Sequence, residues 1–193
     1  MTPGFAPEGS DGAAPEGGGS SGGGPADAHV PPEVDQALRG LSSAYAEAVD
    51  RRDGEALASL FHPEGMLVVP RYPDELAPVV IRRGEAELRT VPDGLRRFVR
   101  TFHRTTDHVF TSGGEGGPSG PPGSVLGRVR CVAHHLRSDG PAGSGPPFVD
   151  TVWYLRYVDD YRRDGARWCF WRRELHLEWV EEHPVAAMGP SGG

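Results

Sequence analysis

Residues 125–136 read VLGRVRCVAHHL, an alternating pattern that is typical of a β-strand. Side chains on a strand point alternately to opposite faces of the sheet. One alternating set is small or apolar up to its last member: Val125, Gly127, Val129, Cys131, Ala133 and His135. The other set carries the polar side chains Arg128, Arg130 and His134. The alternation therefore predicts that His135 points into the protein and that His134 points outward.

An imidazole in an apolar interior needs a hydrogen-bond partner, because an unpaired buried polar group is costly. Two interpretations of His135 follow. It is either a core histidine held by a structural hydrogen bond or one member of a reactive group that lines a cavity. The choice depends on the side chains that other strands and helices bring to it.

The 193-residue chain has room for one ordinary domain, which we expect over residues 33–183. Residues 1–32 contain nine Gly and six Pro and few residues able to build a core. Such a segment cannot bury enough apolar surface to offset the entropy lost on ordering, so it is predicted to be a disordered tail. Residues 184–193 are predicted to form a second, shorter tail.

The charge pattern indicates that nucleic acid is not a partner. The net charge is -7, and the basic residues are scattered singly or in pairs without a basic stripe. All twenty basic residues are Arg, and the chain contains neither Lys nor Asn. This bias is typical of a GC-rich genome and does not by itself indicate a function.

The cysteines and the hydropathy pattern favour a cytoplasmic protein. Cys131 and Cys169 fall at inward positions of strand-like runs, which suits buried thiols in a reducing compartment better than a disulfide framework. The N-terminus lacks the pattern of a signal peptide, and no run of about eighteen apolar residues occurs. Neither export nor contact with a membrane is expected.

The first half of the domain is predicted to be mainly helical. Apolar residues at helical spacing predict an amphipathic helix over residues 33–51: Val34, Leu38, Leu41, Tyr45 and Ala48. Asp53 is the expected N-cap of a second short helix that ends at His62 and Pro63. A short strand is expected at residues 66–69. Pro92 should divide residues 84–100 into two short helical pieces.

Four strand-like runs follow, at residues 101–111, 125–136, 148–161 and 167–180. Helices first and strands afterwards predict an α+β domain whose antiparallel sheet carries its helices on one face. The connections over 112–124 and 138–147 are longer than a tight hairpin needs. On the last two strands the odd positions are expected to face inward, including Trp153, Trp171 and Trp179, whereas Arg173 interrupts the apolar set.

This order of elements resembles the SnoaL-like branch of the nuclear transport factor 2-like superfamily, and local patterns over residues 33–180 carry the resemblance. They are YAEAVDRRD at 45–53, LFHPEG at 60–65, TFH at 101–103, and RYVD at 156–159 followed by DGARW at 164–168 and Arg173. The resemblance implies a cone, in which a strongly curved antiparallel sheet wraps around the N-terminal helices and encloses a cavity.

Members related to scytalone dehydratase and bile-acid dehydratase use a carboxylate and histidines in that cavity. By this resemblance the catalytic residues are Asp50, His103 and His135. An imidazole can remove a proton next to a carbonyl and return one to a departing hydroxyl, while a carboxylate orients it. No cofactor is then required. On a straight helix, however, Asp50 lies off the apolar stripe and would be exposed.

Four further side chains are candidates for substrate binding: Tyr45, Trp153, Tyr157 and Arg173. The phenols can polarise a carbonyl, Trp153 is core or cavity wall, and Arg173 can hold an anion or pair with Asp50. A metal triad of His103, His135 and Asp50 is an alternative that no local ligand spacing supports.

The pattern and the resemblance together predict a dehydratase, isomerase or cyclase that acts on a small hydrophobic hydroxy- or carbonyl-bearing molecule. The alternative is a non-catalytic ligand-binding or assembly module of the same architecture, since fold does not determine function. Sheet-to-sheet dimers are common in the superfamily, so a homo-oligomer is also possible.

Overall fold

A computed structural model of the protein describes residues 29–113, 122–138 and 148–186. The helices are α1 (Pro32–Asp50), α2 (Gly54–Ser59) and α3 (Gly84–Arg89), with a short 3-10 helix at Val91–Leu95. The strands are β1 (Phe61–Arg71), β2 (Glu75–Arg83), β3 (Arg100–Ser112), β4 (Val125–Ser138), β5 (Phe148–Asp164) and β6 (Arg167–Val185). No helix within the described residues is long and apolar enough to cross a membrane.

Helix α1 confirms the amphipathic helix. Pro32 occupies its first position, where a missing N–H costs nothing, and Glu33 and Asp35 in the first turn suit the helix dipole. The face that carries Leu38 and Tyr45 packs into the core. The predicted cap of α2 is confirmed as well, because the Asp53 carboxylate accepts a hydrogen bond of 2.9 Å from the N–H of Ala56.

The six strands form one curved, unclosed sheet in the order β2-β1-β6-β5-β4-β3. Four of the five neighbouring pairs of strands are antiparallel, as expected, but β1 runs parallel to β6, with Phe61 beside Phe170 and Leu67 beside Arg173. The sheet is therefore mixed. Alternation along a strand specifies its faces but neither its neighbour nor its direction, so the parallel pair could not be read from the pattern.

The structure extends the short strand expected at residues 66–69 into an eleven-residue β1 and adds β2, which was not predicted. Strand β2 lies at an edge, and only Pro78 and Val80 in it are half-buried. An edge position tolerates the proline and leaves Val79 and Ile81 exposed, so β2 lacks clear alternation. The break expected at Pro92 is confirmed, since α3 and the 3-10 helix are separate.

Two β-bulges in β6 correct the predicted inner face. Tyr161 pairs with Phe170 and Asp160 with Arg172, which leaves Trp171 as an extra residue. A second irregularity pairs Tyr154 with Trp179 but Leu155 with Leu177. An extra residue reverses the alternation beyond it. Trp171 therefore lies below the Arg162 guanidinium on the outer face.

The second bulge exposes Trp179, which was expected to face inward. Its side chain is 48% exposed and stacks on Tyr154 at 4.5 Å between ring centroids. Trp153 and Tyr157 on β5 keep their predicted inward positions, and both Cys131 and Cys169 are buried free thiols.

The predicted tails lie mostly outside the described residues, as do residues 114–121 and 139–147 of the two long connections. The described ends are more ordered than expected. His29 forms an isolated bridge with Thr111 of β3, and Val30 is buried in the core. At the other end, Val185 still pairs with Phe148 in the sheet.

Arg173 interrupts the apolar set of β6 because its partner lies next to it on β5. Its guanidinium donates two hydrogen bonds of 2.9 Å to the Asp159 carboxylate, and the Tyr161 hydroxyl donates a third to that carboxylate at 2.7 Å. Burial opposes the charge of Arg173, but Asp159 holds the pKa of the guanidinium above its ordinary value. The guanidinium also lies 3.9 Å from the ring centroid of Tyr157 and 4.4 Å from that of Tyr45.

We expect Asp159→Ala to lower the free energy of unfolding by about 3–5 kcal/mol, because the Arg173 charge would stay buried without its partner. Urea-induced unfolding followed by circular dichroism measures this loss. The matched control is Glu47→Ala, which breaks an exposed ion pair with Arg51. That pair should contribute no more than about 0.5 kcal/mol. Similar losses for the two variants would contradict a buried ion pair.

Candidate functional site

A cavity of about 410 Å³ lies between the C-terminal half of α1, the inner face of the sheet and the segment around the 3-10 helix. Its apolar wall includes Val49, Leu67, Val69, Val80, Leu95 and Leu175. Its aromatic and titratable lining consists of Tyr45, Tyr72, Trp153, Tyr157, His103, His135, Arg71, Arg82 and Arg97. Five of the seven predicted site residues therefore line one cavity, whereas Asp50 and Arg173 do not.

Asp50 ends α1 and binds β3 through three hydrogen bonds. Its carboxylate accepts from the Thr101 hydroxyl at 2.9 Å, the His103 backbone N–H at 2.8 Å and His103 Nδ1 at 2.7 Å. The helical pattern alone predicted an exposed Asp50, but β3 covers the end of the helix. Burial raises the pKa of this carboxyl, and the bonds from His103 and Thr101 outweigh that effect and hold it below its usual range. Asp50 is therefore a carboxylate.

The contact with Asp50 determines the tautomer of His103. A carboxylate accepts hydrogen bonds, so in the neutral ring Nδ1 carries the hydrogen and Nε2 is the acceptor. The His103 side chain is almost fully buried and lines the cavity. The arrangement is that of a general base whose orientation is held by a carboxylate.

His135 points inward, as its alternation predicted, and is only 1% exposed. Its Nδ1 donates to the carbonyl of Thr151 at 3.2 Å, so its Nε2 is also a hydrogen-bond acceptor. Its ring centroid lies 4.6 Å from that of Trp153 and 5.5 Å from that of His103. Burial, together with the neighbouring His103, lowers the pKa of His135 to about 4. A neutral His135 with this tautomer has no proton to donate to the cavity.

His134 points outward, also as predicted, and its side chain is 42% exposed. Its Nδ1 lies 2.6 Å from Asp150 Oδ2. In the described part of the chain, His103 and His134 on the adjacent strands β3 and β4 thus each lie within hydrogen-bond distance of an Asp carboxylate. Of these four side chains only His103 lines the cavity, and Asp50 holds it from behind.

Of the four predicted substrate-binding residues, three line the cavity and one does not. Tyr45, Trp153 and Tyr157 line the cavity, and burial raises the pKa of the Tyr45 phenol to about 12, so it stays protonated. Arg173 was expected to hold an anion or to pair with Asp50, but it lies behind the aromatic wall with Asp159 and does not line the cavity. Its role in the structure is to balance a buried charge.

Sequence reasoning missed the cavity residues on β1, β2 and the segment that follows the 3-10 helix. Leu67, Val69 and Arg71 alternate along β1, and this signal could have identified the cavity face had the strand been extended past residue 69. Arg82 and Arg97 carried no comparable local signal.

The metal alternative gains no support from the arrangement of side chains. Across the described ranges, no group of three or more His, Cys, Asp or Glu side chains is placed to hold a metal ion. Asp50 already accepts three hydrogen bonds from β3.

The family model for the SnoaL-like domain matches residues 33–174, and the chain belongs to this family. No curated protein matches the sequence significantly.

Solved structures share the fold at low sequence identity. A Novosphingobium aromaticivorans protein proposed to be a scytalone dehydratase is 22% identical, with a TM-score of 0.60 over 83% of this chain and 95% of that chain. A proposed aromatic ring hydroxylase from the same organism is 19% identical, with a TM-score of 0.62 over 81% and 96%. The hexachlorocyclohexane dehydrochlorinase LinA-type3 from Novosphingobium barchaimii is 14% identical, with a TM-score of 0.59 over 83% and 96%.

We expect the His135 ring to stay neutral, with its hydrogen on Nδ1, until the pH falls to about 4. An unfolded chain has a histidine pKa near 6.5, so the unfolded state binds more protons between these values. The contribution of His135 to stability is therefore complete above about pH 6.5 and is lost as the pH falls towards 4. Nitrogen-15 NMR of the imidazoles measures both tautomer and titration. Protonation of His135 near pH 6.5 would contradict this environment.

Proposed function

We propose that the protein is a cofactor-independent enzyme that catalyses a β-elimination, the loss of water from a small hydrophobic hydroxy-carbonyl compound. The observation that carries the proposal is the pair of Asp50 and His103. A carboxylate holds Nδ1 of the imidazole at 2.7 Å, and the same imidazole lines a cavity of about 410 Å³.

Asp50 acts as the positioning residue in this proposal. Its contacts with Thr101 and the His103 backbone fix the carboxylate relative to β3, and the contact with Nδ1 fixes the ring. When His103 accepts a proton, the carboxylate stabilises the resulting imidazolium. Asp50 need not touch the substrate for this.

The proposed reaction uses one imidazole twice. His103 Nε2 removes the proton from the carbon next to the substrate carbonyl. The electrons of that C–H bond form the carbon–carbon double bond while the C–O bond to the hydroxyl group breaks. The departing hydroxide takes the proton from Nε2 and leaves as water, which returns His103 to its neutral form.

His135 has a different role in this scheme from the acid/base partner that the resemblance implied. A neutral ring whose Nδ1 binds Thr151 can only accept at Nε2, and it can therefore orient the substrate hydroxyl. Burial raises the pKa of the Tyr45 and Tyr157 phenols, which line the cavity and as protonated donors can polarise the carbonyl. In this scheme His103 is the base, His135 is the hydrogen-bond acceptor, and the two phenols are the hydrogen-bond donors.

The names of two structural relatives support an elimination. One is proposed to be a scytalone dehydratase, and another is a dehydrochlorinase. Loss of water and loss of hydrogen chloride both begin with removal of a proton next to a leaving group. A base held by a carboxylate in an apolar cavity suits either reaction.

We expect His103→Gln to reduce kcat on the order of 10²- to 10⁴-fold, because the variant has no group that can take the proton. A series of aromatic β-hydroxy ketones, whose dehydration gives a conjugated and strongly absorbing enone, provides the assay. Asp50→Asn should reduce kcat less, since the base remains but its charged form loses the carboxylate.

His134→Gln is the matched control for this experiment. It removes the imidazole of the other Asp–His pair from the neighbouring strand, and turnover should stay at the wild-type level. Equal activity of His103→Gln and the wild type would remove His103 from the mechanism. Tight binding of the ketones without turnover by the wild type would favour the non-catalytic ligand-binding module.

A further inference from the structure

The lining of the cavity includes three exposed arginines, Arg71, Arg82 and Arg97. We propose that the natural substrate carries a carboxylate, and that these three residues, here called the arginine rim, bind it. This inference deepens the proposed function, since it assumes that the substrate of the elimination occupies this cavity. It assigns a substrate class and three specificity-determining residues.

Strand geometry places two members of the rim on the cavity face. Arg82 of β2 is paired with Leu67 of β1, and Val80 with Val69. These four residues and Arg71, which is two positions beyond Val69, all line the cavity. The two arginines therefore continue an apolar wall outward to solvent, where both are exposed.

Arg97 reaches the same cavity from the segment after the 3-10 helix. Its guanidinium carbon lies 4.8 Å from the ring centroid of Phe98, and the Phe98 ring packs against His135 at 4.9 Å between centroids. Arg97 also lines an adjoining recess of about 380 Å³ that shares Tyr72 and Trp153 with the cavity. Arg97 therefore borders both the cavity and this recess, and it is exposed like Arg71 and Arg82.

No carboxylate balances the rim among the residues of the cavity lining that the structure describes. Glu75 faces Arg71 across the two strands, but its carboxylate accepts from the N–H of Ala77 and is not part of the lining. Other exposed arginines, such as Arg96 with Asp93 at 2.8 Å, do have acidic partners. The cavity opening is therefore basic on a chain whose net charge is -7.

The polar groups of the cavity indicate where its ligand has hydrogen-bond donors and where it has acceptors. The rim and the Trp153 indole can only donate, and the indole N–H is buried without an acceptor in the described part of the chain. His103 and His135 present acceptor nitrogens. A ligand that satisfies both groups has a hydroxyl or acidic C–H at its inner end, an apolar body and an anionic acceptor at its outer end.

A carboxylate fits the outer end because the guanidinium fork matches its geometry. It must lie away from the carbon that His103 deprotonates, since negative charge on the neighbouring carbon would make that C–H less acidic. The ketone or ester carbonyl that activates the C–H is therefore a separate group. The substrate class is a small hydrophobic hydroxy-carbonyl compound with a remote carboxylate.

Isothermal titration of a matched pair of probes, 2-naphthylacetate and 2-naphthylacetamide, tests this assignment. We expect the wild type to bind the carboxylate about tenfold more tightly than the amide, with a preference that weakens as salt is added. The variant Arg71→Gln/Arg82→Gln/Arg97→Gln should lose this preference and keep its affinity for the amide.

A second triple variant, Arg130→Gln/Arg156→Gln/Arg163→Gln, is the matched control. It removes the same charge from exposed positions outside the cavity lining and should keep the preference. Equal affinity of the wild type for both probes, or an unchanged preference in the rim variant, would overturn the proposal.

The same titration with His103→Gln separates this inference from the proposed function. Binding of the carboxylate does not need the base, so this variant should prefer the carboxylate even though it cannot turn over. If the wild type prefers the carboxylate probe but catalyses no elimination, the proposed reaction is wrong and the arginine rim is retained. If the elimination depends on His103 but the wild type binds both probes equally, only the arginine rim is wrong.

Discussion

The hydrogen bonds of Asp50 connect the end of α1 to the edge strand β3, and the geometry of the site depends on them. A single carboxylate accepts from a hydroxyl, a backbone N–H and an imidazole. It thereby fixes where the helix ends relative to the sheet and which nitrogen of His103 carries the hydrogen. The same contacts keep the carboxylate ionised despite its burial, because each of them stabilises the charge. The same three hydrogen bonds therefore position the end of α1 and prepare His103 to act as a base.

Burial has opposite consequences for the charged groups near the cavity. Arg173 remains a cation in the core because the Asp159 carboxylate accepts two hydrogen bonds from it and carries the opposite charge. His135 has only a backbone carbonyl as partner, so burial keeps it neutral. The rings of Tyr45 and Tyr157 separate the two environments, since they line the cavity on one side and contact the Arg173 guanidinium on the other.

Local patterns in the sequence predicted most of the fold. Local patterns identified α1, the Asp53 cap, the division at Pro92 and five of the six strands, because each of these depends on residues close together in the chain. Strand β2, the parallel pairing of β1 with β6 and the bulges that turn Trp171 and Trp179 outward were not predicted. They depend on which strands become neighbours, and a strand's own alternation does not contain that information.

The sequence by itself determined that His135 faces inward and His134 outward, since two adjacent residues of a strand must point to opposite faces. It also indicated the family through the order of its motifs. Only the tertiary structure decided that β3 covers Asp50, that Arg173 pairs with Asp159 and that three arginines line one cavity. Each of these contacts joins side chains far apart in the chain, and only the folded sheet brings them within a few ångströms.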